Sequence, residues 1–472
     1  MTKQVSAILL MLCLASGARS AAMEHSIGQL NHIQQRSGIT AISYALIDIG
    51  TGETQTGAFG YYSTQKTHPV TSQSLFRIGS LTKSFTALTA LKQVQEGRFD
   101  IDRPIRSYWP DIVINNAWQR EHPVTTAMML EHVAGIQDLT REEFDYPKPL
   151  ELQQAFSLAP DARKVVWQPG LMASYSNAGA GYVQAALESA TGIRWEQQLM
   201  NLVEQLDMSS TGVEHSPDLM RQLVAGYDED ATTPIPYWHT LFRGFGNMHS
   251  TADDMAKFVR MLMNNGIHKG KEIISEDLIA RMEHPSSSIL AELNYGYGLG
   301  LDSYYSHGVR LWGHSGDADG YMSHFAYSRR SGRGFFVAIN AYQPATLRRA
   351  RNILEEWLTK PLQDELVFPK VQMSSAELSR YTGVYRQASQ RFPWQEKDKL
   401  DTATISQHNG GLMMESYRHG QVWFIPVREG QFRRRNEGGA THLFIKSDQG
   451  LILVGDIGNY VRTGELKEGD LH

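Results

Sequence analysis

The texture of this 472-residue chain changes near Pro361, and that break constrains the fold more than any other feature. After Ser374 come short alternating runs divided by glycine turns: His408-Asn409-Gly410-Gly411, Arg428-Glu429-Gly430, Asn436-Glu437-Gly438-Gly439 and Asp448-Gln449-Gly450. Val422-Trp423-Phe424-Ile425 and Leu451-Ile452-Leu453-Val454 are the most strand-like pieces. Short strands at this spacing predict a small antiparallel barrel or sandwich. Before the break the pattern is mixed. Residues 41–48 read as a strand, and Gly50-Thr51-Gly52 as the turn after it. A helix is expected from near Ser80, with Phe85, Leu88, Leu91 and Val94 on one face and Gly97 at its end. Helical stretches are expected from Asp100 to about Met220, broken by Pro104, Pro110, Pro123, Pro147, Pro149 and a Gln168-Pro169-Gly170 turn. Ser250-Thr251-Ala252-Asp253 reads as a capping box opening a further helix. Strands return at 311–312, 322–327 and 334–341, and a last helix covers 345–358. The domain boundary falls between Lys360 and Ser374, giving domains over 23–360 and 374–472.

The N-terminus reads as a secretory signal peptide over residues 1–22. Lys3 precedes an apolar run over 7–15, and small residues follow at Ser16, Gly17, Ala18, Ser20, Ala21 and Ala22. Cleavage after Ser20 or after Ala22 both satisfy the small-residue rule. The apolar run is too short to span a bilayer. The only cysteine, Cys13, lies inside the run behind Leu12, which argues against lipidation. The mature chain would then hold no cysteine, which excludes disulfides and thiol catalysis. Hydrophobic residues at 41% and charged residues at 20% fit a soluble globular protein, and the net charge of −5 gives no support to nucleic-acid binding. The product is expected free in the periplasm or medium.

Three short motifs carry chemistry. In Ser80-Leu81-Thr82-Lys83 the outer residues share a helix face, so the amine can reach the hydroxyl. A serine needs a base to become a nucleophile, and a desolvated lysine can serve. A second S-x-x-K, Ser63-Thr64-Gln65-Lys66, sits in a polar stretch and reads as a surface pair. In Tyr175-Ser176-Asn177, an extended loop would point both outer side chains into one cleft; a phenol can relay a proton, and an amide can hold a substrate carbonyl or the lysine. In His314-Ser315-Gly316, at the expected start of a strand, glycine would let a substrate backbone approach, and a strand edge offers N–H groups to an oxyanion. His268-Lys269-Gly270 and His408-Asn409-Gly410 share the last pattern but read as turns.

Taken in order, these motifs resemble the serine β-lactamase and penicillin-binding-protein superfamily, most closely its class C-like branch of esterases, D-amino-acid peptidases and class C β-lactamases. Flanking text agrees: Phe76-Arg77-Ile78-Gly79, Leu130-Glu131-His132-Val133-Ala134-Gly135-Ile136, Leu206-Asp207-Met208 and Ser250-Thr251-Ala252-Asp253-Asp254. The C-terminal segment from Leu378-Ser379-Arg380-Tyr381-Thr382-Gly383-Val384-Tyr385 resembles a lipocalin-like barrel. The resemblance implies an α+β fold: an antiparallel sheet flanked by helices, an all-helical region with the cleft at their junction, and a small all-β barrel behind. It implies that Ser80 is acylated, that Lys83 and Tyr175 move the proton, and that Asn177, His314 and Gly316 bind substrate. The N–H groups of Ser80 and Asp317 would form the oxyanion hole.

Two positions depart from the family pattern. Asp317 stands where a small residue is usual. His314 stands where β-lactamases carry a lysine that attracts a substrate carboxylate, and histidine is mostly neutral at pH 7. The expected function is therefore an exported serine hydrolase acting through an acyl-enzyme on esters or small peptides or amides, D-amino-acid or cell-wall-derived ones included. The alternatives are a class C-like β-lactamase with weak turnover and a binding protein without catalysis. His132 reads as a buttress, Tyr321 and His324 as cleft-wall residues, and Arg433, Arg434 and Arg435 as a solvated turn. No H-E-x-x-H and no clustered Cys/His spacing occurs, so no metal or other cofactor is expected. The oligomeric state stays open.

Overall fold

The computed structural model describes residues 2–465 except 113, 145, 147, 149, 214, 215, 238, 395, 397 and 398, with N-terminal side chains described from residue 17 on, 18 apart. The breaks expected at Pro147 and Pro149, and the side chain of Cys13, lie outside the described residues. The strands that build the site are Ala41–Asp48 (β1), Glu53–Gly60 (β2), Phe76–Arg77 (β3), His249–Ser250 (β4), Asp302–Ser306 (β5), Val309–Ala318 (β6), Tyr321–Ser328 (β7) and Arg333–Ile339 (β8). The helices used below are Thr2–Ser37 (α1), Thr82–Gln95 (α2), Asn177–Thr191 (α3), Ala252–Met263 (α4) and Pro344–Thr359 (α5).

Six strands form an antiparallel sheet in the order β2-β1-β8-β7-β6-β5. Every residue of β1 is buried, because both faces of the sheet are covered. Successive side chains point to opposite faces. Ile42, Tyr44 and Leu46 therefore join a core with Leu30, Leu354 and Trp357 of α1 and α5. Ala41, Ala45 and Ile47 meet Phe85, Leu88 and Phe258 of α2 and α4 on the other side. No helix among the described residues is long and apolar enough to cross a membrane.

Several local expectations need correction. Thr251, not Ser250, caps α4, its side chain accepting from the Asp254 N–H. Between Asp100 and Ser176 the α-helices among the described residues run four to six residues, since prolines and glycines break the pattern before it can propagate. Of the Arg433–Arg435 run, expected as a solvated turn, only Arg435 is an exposed turn residue. Arg433 is buried at the end of a strand and donates to the Pro369 carbonyl, and Arg434 pairs with Glu437 and Asp456.

Beyond Ser374, eight antiparallel strands from Gly383–Gln387 to Gly458–Gly464 close into a barrel. Closure removes the exposed edges that short strands would otherwise present. Tyr385, Ile405, Phe424, Phe432, Phe444 and Leu453 pack on one another in its core. The segment between the first two barrel strands leaves the barrel and packs against the loops around Asp138 and Phe144. There the Asp138 N–H donates to the Arg391 carbonyl at 2.7 Å, and Phe144 packs on Phe392 and Trp394.

Candidate active site

Two glycines bring Ser80 against the sheet. Gly79 has φ +53°, and a side chain there would meet the Asp317 carbonyl at 2.5 Å. A Cβ on Gly316 would lie 2.0 Å from the Ile78 carbonyl. Only bare backbone lets β6 and the residues before α2 approach so closely. This corrects the expected role of Gly316: its open face is filled by Ile78 and Ser323 from inside the protein, not by substrate.

Ser80 sits in a single 3-10 turn, Gly79–Leu81, that leads into α2, one turn before Lys83. The Lys83 Nζ lies 3.0 Å from Ser80 Oγ, 2.7 Å from Asn177 Oδ1 and 2.9 Å from the Phe245 carbonyl. Lys83 is 2% exposed, and its pKa is held well below the usual lysine value, first by burial. Asp138 and Asp317 pull it back up, and Arg391 pushes it further down. A neutral amine carries two N–H groups and one lone pair. The Asn177 and Phe245 oxygens can only accept, so in the neutral form they would take both N–H groups and leave the lone pair for the Ser80 hydroxyl.

Tyr175 arrives from the strand-like approach to α3 and hydrogen-bonds Ser80. Burial pushes its phenol pKa up, against the Ser80 hydrogen bond and the Arg391 charge, so it stays protonated at neutral pH. Asn177 is the first residue of α3 rather than part of an extended loop. Its Oδ1 holds Lys83 while its N–H and Nδ2 donate to Asp138 at 2.7 and 3.2 Å.

His314 lies in the second half of β6, not at its start. Since β5 pairs β6 only as far as Gly313, residues 314–318 form an open edge beside Ser80. Ala318 and Tyr321 close the hairpin to β7, so hydrogen-bonded pairs alternate from there and the Asp317 N–H points away from β7. His314 is buried, its Nδ1 donating to the Ser315 carbonyl at 2.5 Å and its Nε2 accepting from the Tyr297 hydroxyl. Burial, followed by the nearby Lys83, depresses its pKa to about 3, so it is neutral.

The motifs did not reveal Phe245, Asp138, Tyr297 or Arg391. Asp138 is buried and accepts from Leu139 and Asn177 N–H groups and from Arg391 Nε and Nη2 at 3.0 and 2.9 Å. Arg391 comes from the barrel segment and also lies over the Tyr175 ring at 4.8 Å. His132 takes the buttress role: buried, with φ +58°, it packs on both Tyr175 and Tyr297, and its Nδ1 accepts from the Ser176 N–H. Tyr321 and His324 do not line the cleft. The Tyr321 hydroxyl donates to the Val224 carbonyl, and His324 is buried between Tyr304 and Ser315. The second S-x-x-K sits in exposed loop with Lys66 at φ +56°. Among the described residues no three His, Cys, Asp or Glu side chains form a group able to hold a metal. The cleft measures about 470 Å³, and Ser80, Tyr175, Asn177, His314 and Asp317 line it together.

The chain belongs to the Beta-lactamase family, whose profile matches residues 30–358. The sheet flanked by helices, with the serine cleft at its open edge, is the fold of β-lactamases and penicillin-binding proteins. Among curated relatives, a Beta-lactamase of Escherichia coli (strain K12) is 25% identical over 209 residues, covering 43% of this chain and 51% of that protein. Penicillin-binding protein 4 of Amycolatopsis lactamdurans is 26% identical over 287 residues, covering 56% and 71%. The chain thus spans about half the length of the first and somewhat more of the second. Over nearly the whole chain, the fold is similar to an octameric penicillin-binding protein homologue from Pyrococcus abyssi, with TM-score 0.59, 21% identity and coverage of 92% and 99%. It is also similar to SurE, with TM-score 0.60, 18% identity and coverage of 94% and 100%.

Proposed function

We propose that the protein is an acyl-serine hydrolase of the class C-like branch, acting on esters or small peptides and amides. The observation that carries this reading is the Lys83 amine, buried and held by two carbonyl acceptors with its remaining direction on Ser80 Oγ. In the proposed sequence Lys83 takes the Ser80 proton as Oγ attacks the substrate carbonyl. The oxyanion is met by the N–H groups of Ser80 and Asp317. Tyr175, a phenol at neutral pH, hands a proton to the leaving group. Water then enters, activated by the same pair, and releases the acyl group. A binding protein would have no need of a buried amine poised on a hydroxyl.

Neutral His314 favours this reading over a β-lactamase, because it supplies no cation at the place where that activity uses one. Turnover of a panel of esters, D- and L-aminoacyl amides and nitrocefin tests the choice. Ester or amide hydrolysis, lost in Ser80→Ala, supports the proposal. Nitrocefin as the best substrate by about ten-fold or more would favour the β-lactamase.

We also propose export, supported by Lys3, the apolar run over 7–15 and the small residues up to Ala22. N-terminal sequencing of the chain recovered from the periplasm or medium should begin at Ala21 or Met23. A chain retained in the cytoplasm with Met1 or Thr2 intact contradicts it.

A further inference from the structure

Arg77 precedes the nucleophile by three residues and lines the same cleft. It is 2% exposed, yet its Nε and Nη2 have no hydrogen-bond partner, and no ion pair joins it among the described residues. Thr240 lines the cleft as well, and its Oγ1 is likewise buried without a partner. A buried arginine is rarely left so, because a desolvated cation with idle donors is costly unless an anion meets it. The Tyr237 ring lies 4.5 Å from the guanidinium carbon. That contact eases the charge but occupies none of the five N–H groups.

Among the described residues no acid forms an ion pair with Arg77, although Asp317 and Asp319 line the same cleft. The groups whose titration its charge disturbs are Tyr237, His249 and Tyr321, all neutral at pH 7. His249, its strand partner across β3 and β4, has its pKa lowered to about 4 by burial and then by Arg77. The cleft carboxylate Asp317 instead feels Arg391 and Lys83. Arg391 is committed to Asp138 through two nitrogens. Arg77 is therefore the cleft arginine whose donors remain to be used.

We infer that Arg77, with the Thr240 hydroxyl, forms a subsite for a substrate carboxylate, so that the hydrolase takes acyl groups bearing a free acid. This rests on the hydrolase reading above and extends it to a substrate class. The guanidinium fork matches a carboxylate in two parallel hydrogen bonds, and a buried site strengthens each. His314, being neutral, leaves charge recognition to this second position.

The test pairs catalysis with binding. The full chain is assayed on 4-nitrophenyl hydrogen glutarate and on its methyl-capped diester, and Ser80→Ala is titrated with monomethyl glutarate by calorimetry. Wild type should favour the free acid by about ten-fold or more in kcat/KM, and Arg77→Met should bring that ratio to about one. Arg77→Lys should recover part of it, and Thr240→Val should lower it part-way. Calorimetric binding to Ser80→Ala, lost on adding Arg77→Met, supports the subsite even where ester turnover is absent, which separates it from the hydrolase reading. A wild-type ratio at or below one, or no binding by folded Ser80→Ala, overturns it. So does an equal loss on both esters in Arg77→Met and Thr240→Val.

Discussion

Lys83 Nζ stands 3.0 Å from Ser80 Oγ, and its other two directions end on Asn177 Oδ1 and the Phe245 carbonyl. The amine is thus oriented toward its helical neighbour by groups from two distant parts of the chain. Its basicity is set by burial and then by the charges of Asp138, Arg391 and Asp317.

The acid limb of the pH–rate profile should report Lys83. Activity rises as pH climbs through the lysine pKa, which lies well below its ordinary 10.5. Arg391 depresses that pKa, and Asp138, its partner, raises it. Arg391→Ala removes the cation and leaves the anion, so the limb should move to higher pH. An unmoved limb, or one shifted to lower pH, contradicts the electrostatic link between barrel and nucleophile.

Gly316→Ala should cripple the enzyme without touching any reacting group. Its Cβ would sit 2.0 Å from the Ile78 carbonyl, pushing the Ser80 turn away from the Asp317 N–H. Misplacing an oxyanion donor lowers turnover by about 100- to 1000-fold. Steady-state kinetics on a folded variant with wild-type kcat would refute this account of the glycine.

Tyr297→Phe should destabilise the fold. It removes the hydroxyl that donates to His314 Nε2 and leaves that buried nitrogen unpaired. The expected loss is about 1–3 kcal/mol by urea unfolding. A change below a few tenths of that range would show that the bond is dispensable.

Acidification should weaken the protein earlier than carboxylate titration would. His314 has a folded pKa of about 3 against an ordinary 6.5, and His132, His324 and His249 are depressed in the same direction, each first by burial. For a depressed histidine the unfolded chain binds more protons between the two pKa values. Stability is therefore full above about pH 6.5 and falls as pH drops below it. Each such group contributes at most about 1.4 kcal/mol per pH unit. Urea unfolding at pH 7.5 and pH 5 should show the loss, and His314→Gln should reduce the slope. Equal stability at both pH values contradicts it.

The local patterns in the sequence were a sound guide where structure is local. The apolar spacing behind Ser80 became α2, the glycine turns became hairpins of the barrel, and the expected last helix matches α5 to within a residue at each end. The motifs, with the resemblance they carry, named Ser80, Tyr175, Asn177, His314 and Asp317, which line one cleft. Phe245, Asp138, Tyr297 and Arg391 carry no such signal. Each acts through atoms that only tertiary folding brings to the site, and Arg391 reaches Asp138 across 253 residues of chain. Gly316 was misread because a bare backbone looks the same from sequence whether substrate or protein fills the space beside it.

The central claim is that Ser80 is an activated nucleophile. Intact and peptide mass spectrometry after exposure to a fluorophosphonate measures this directly. One adduct on the peptide containing Ser80, absent in Ser80→Ala and slowed at least about 100-fold in Lys83→Ala, is the predicted result. A folded wild-type chain that takes up no adduct, or takes it up on another residue, contradicts the account.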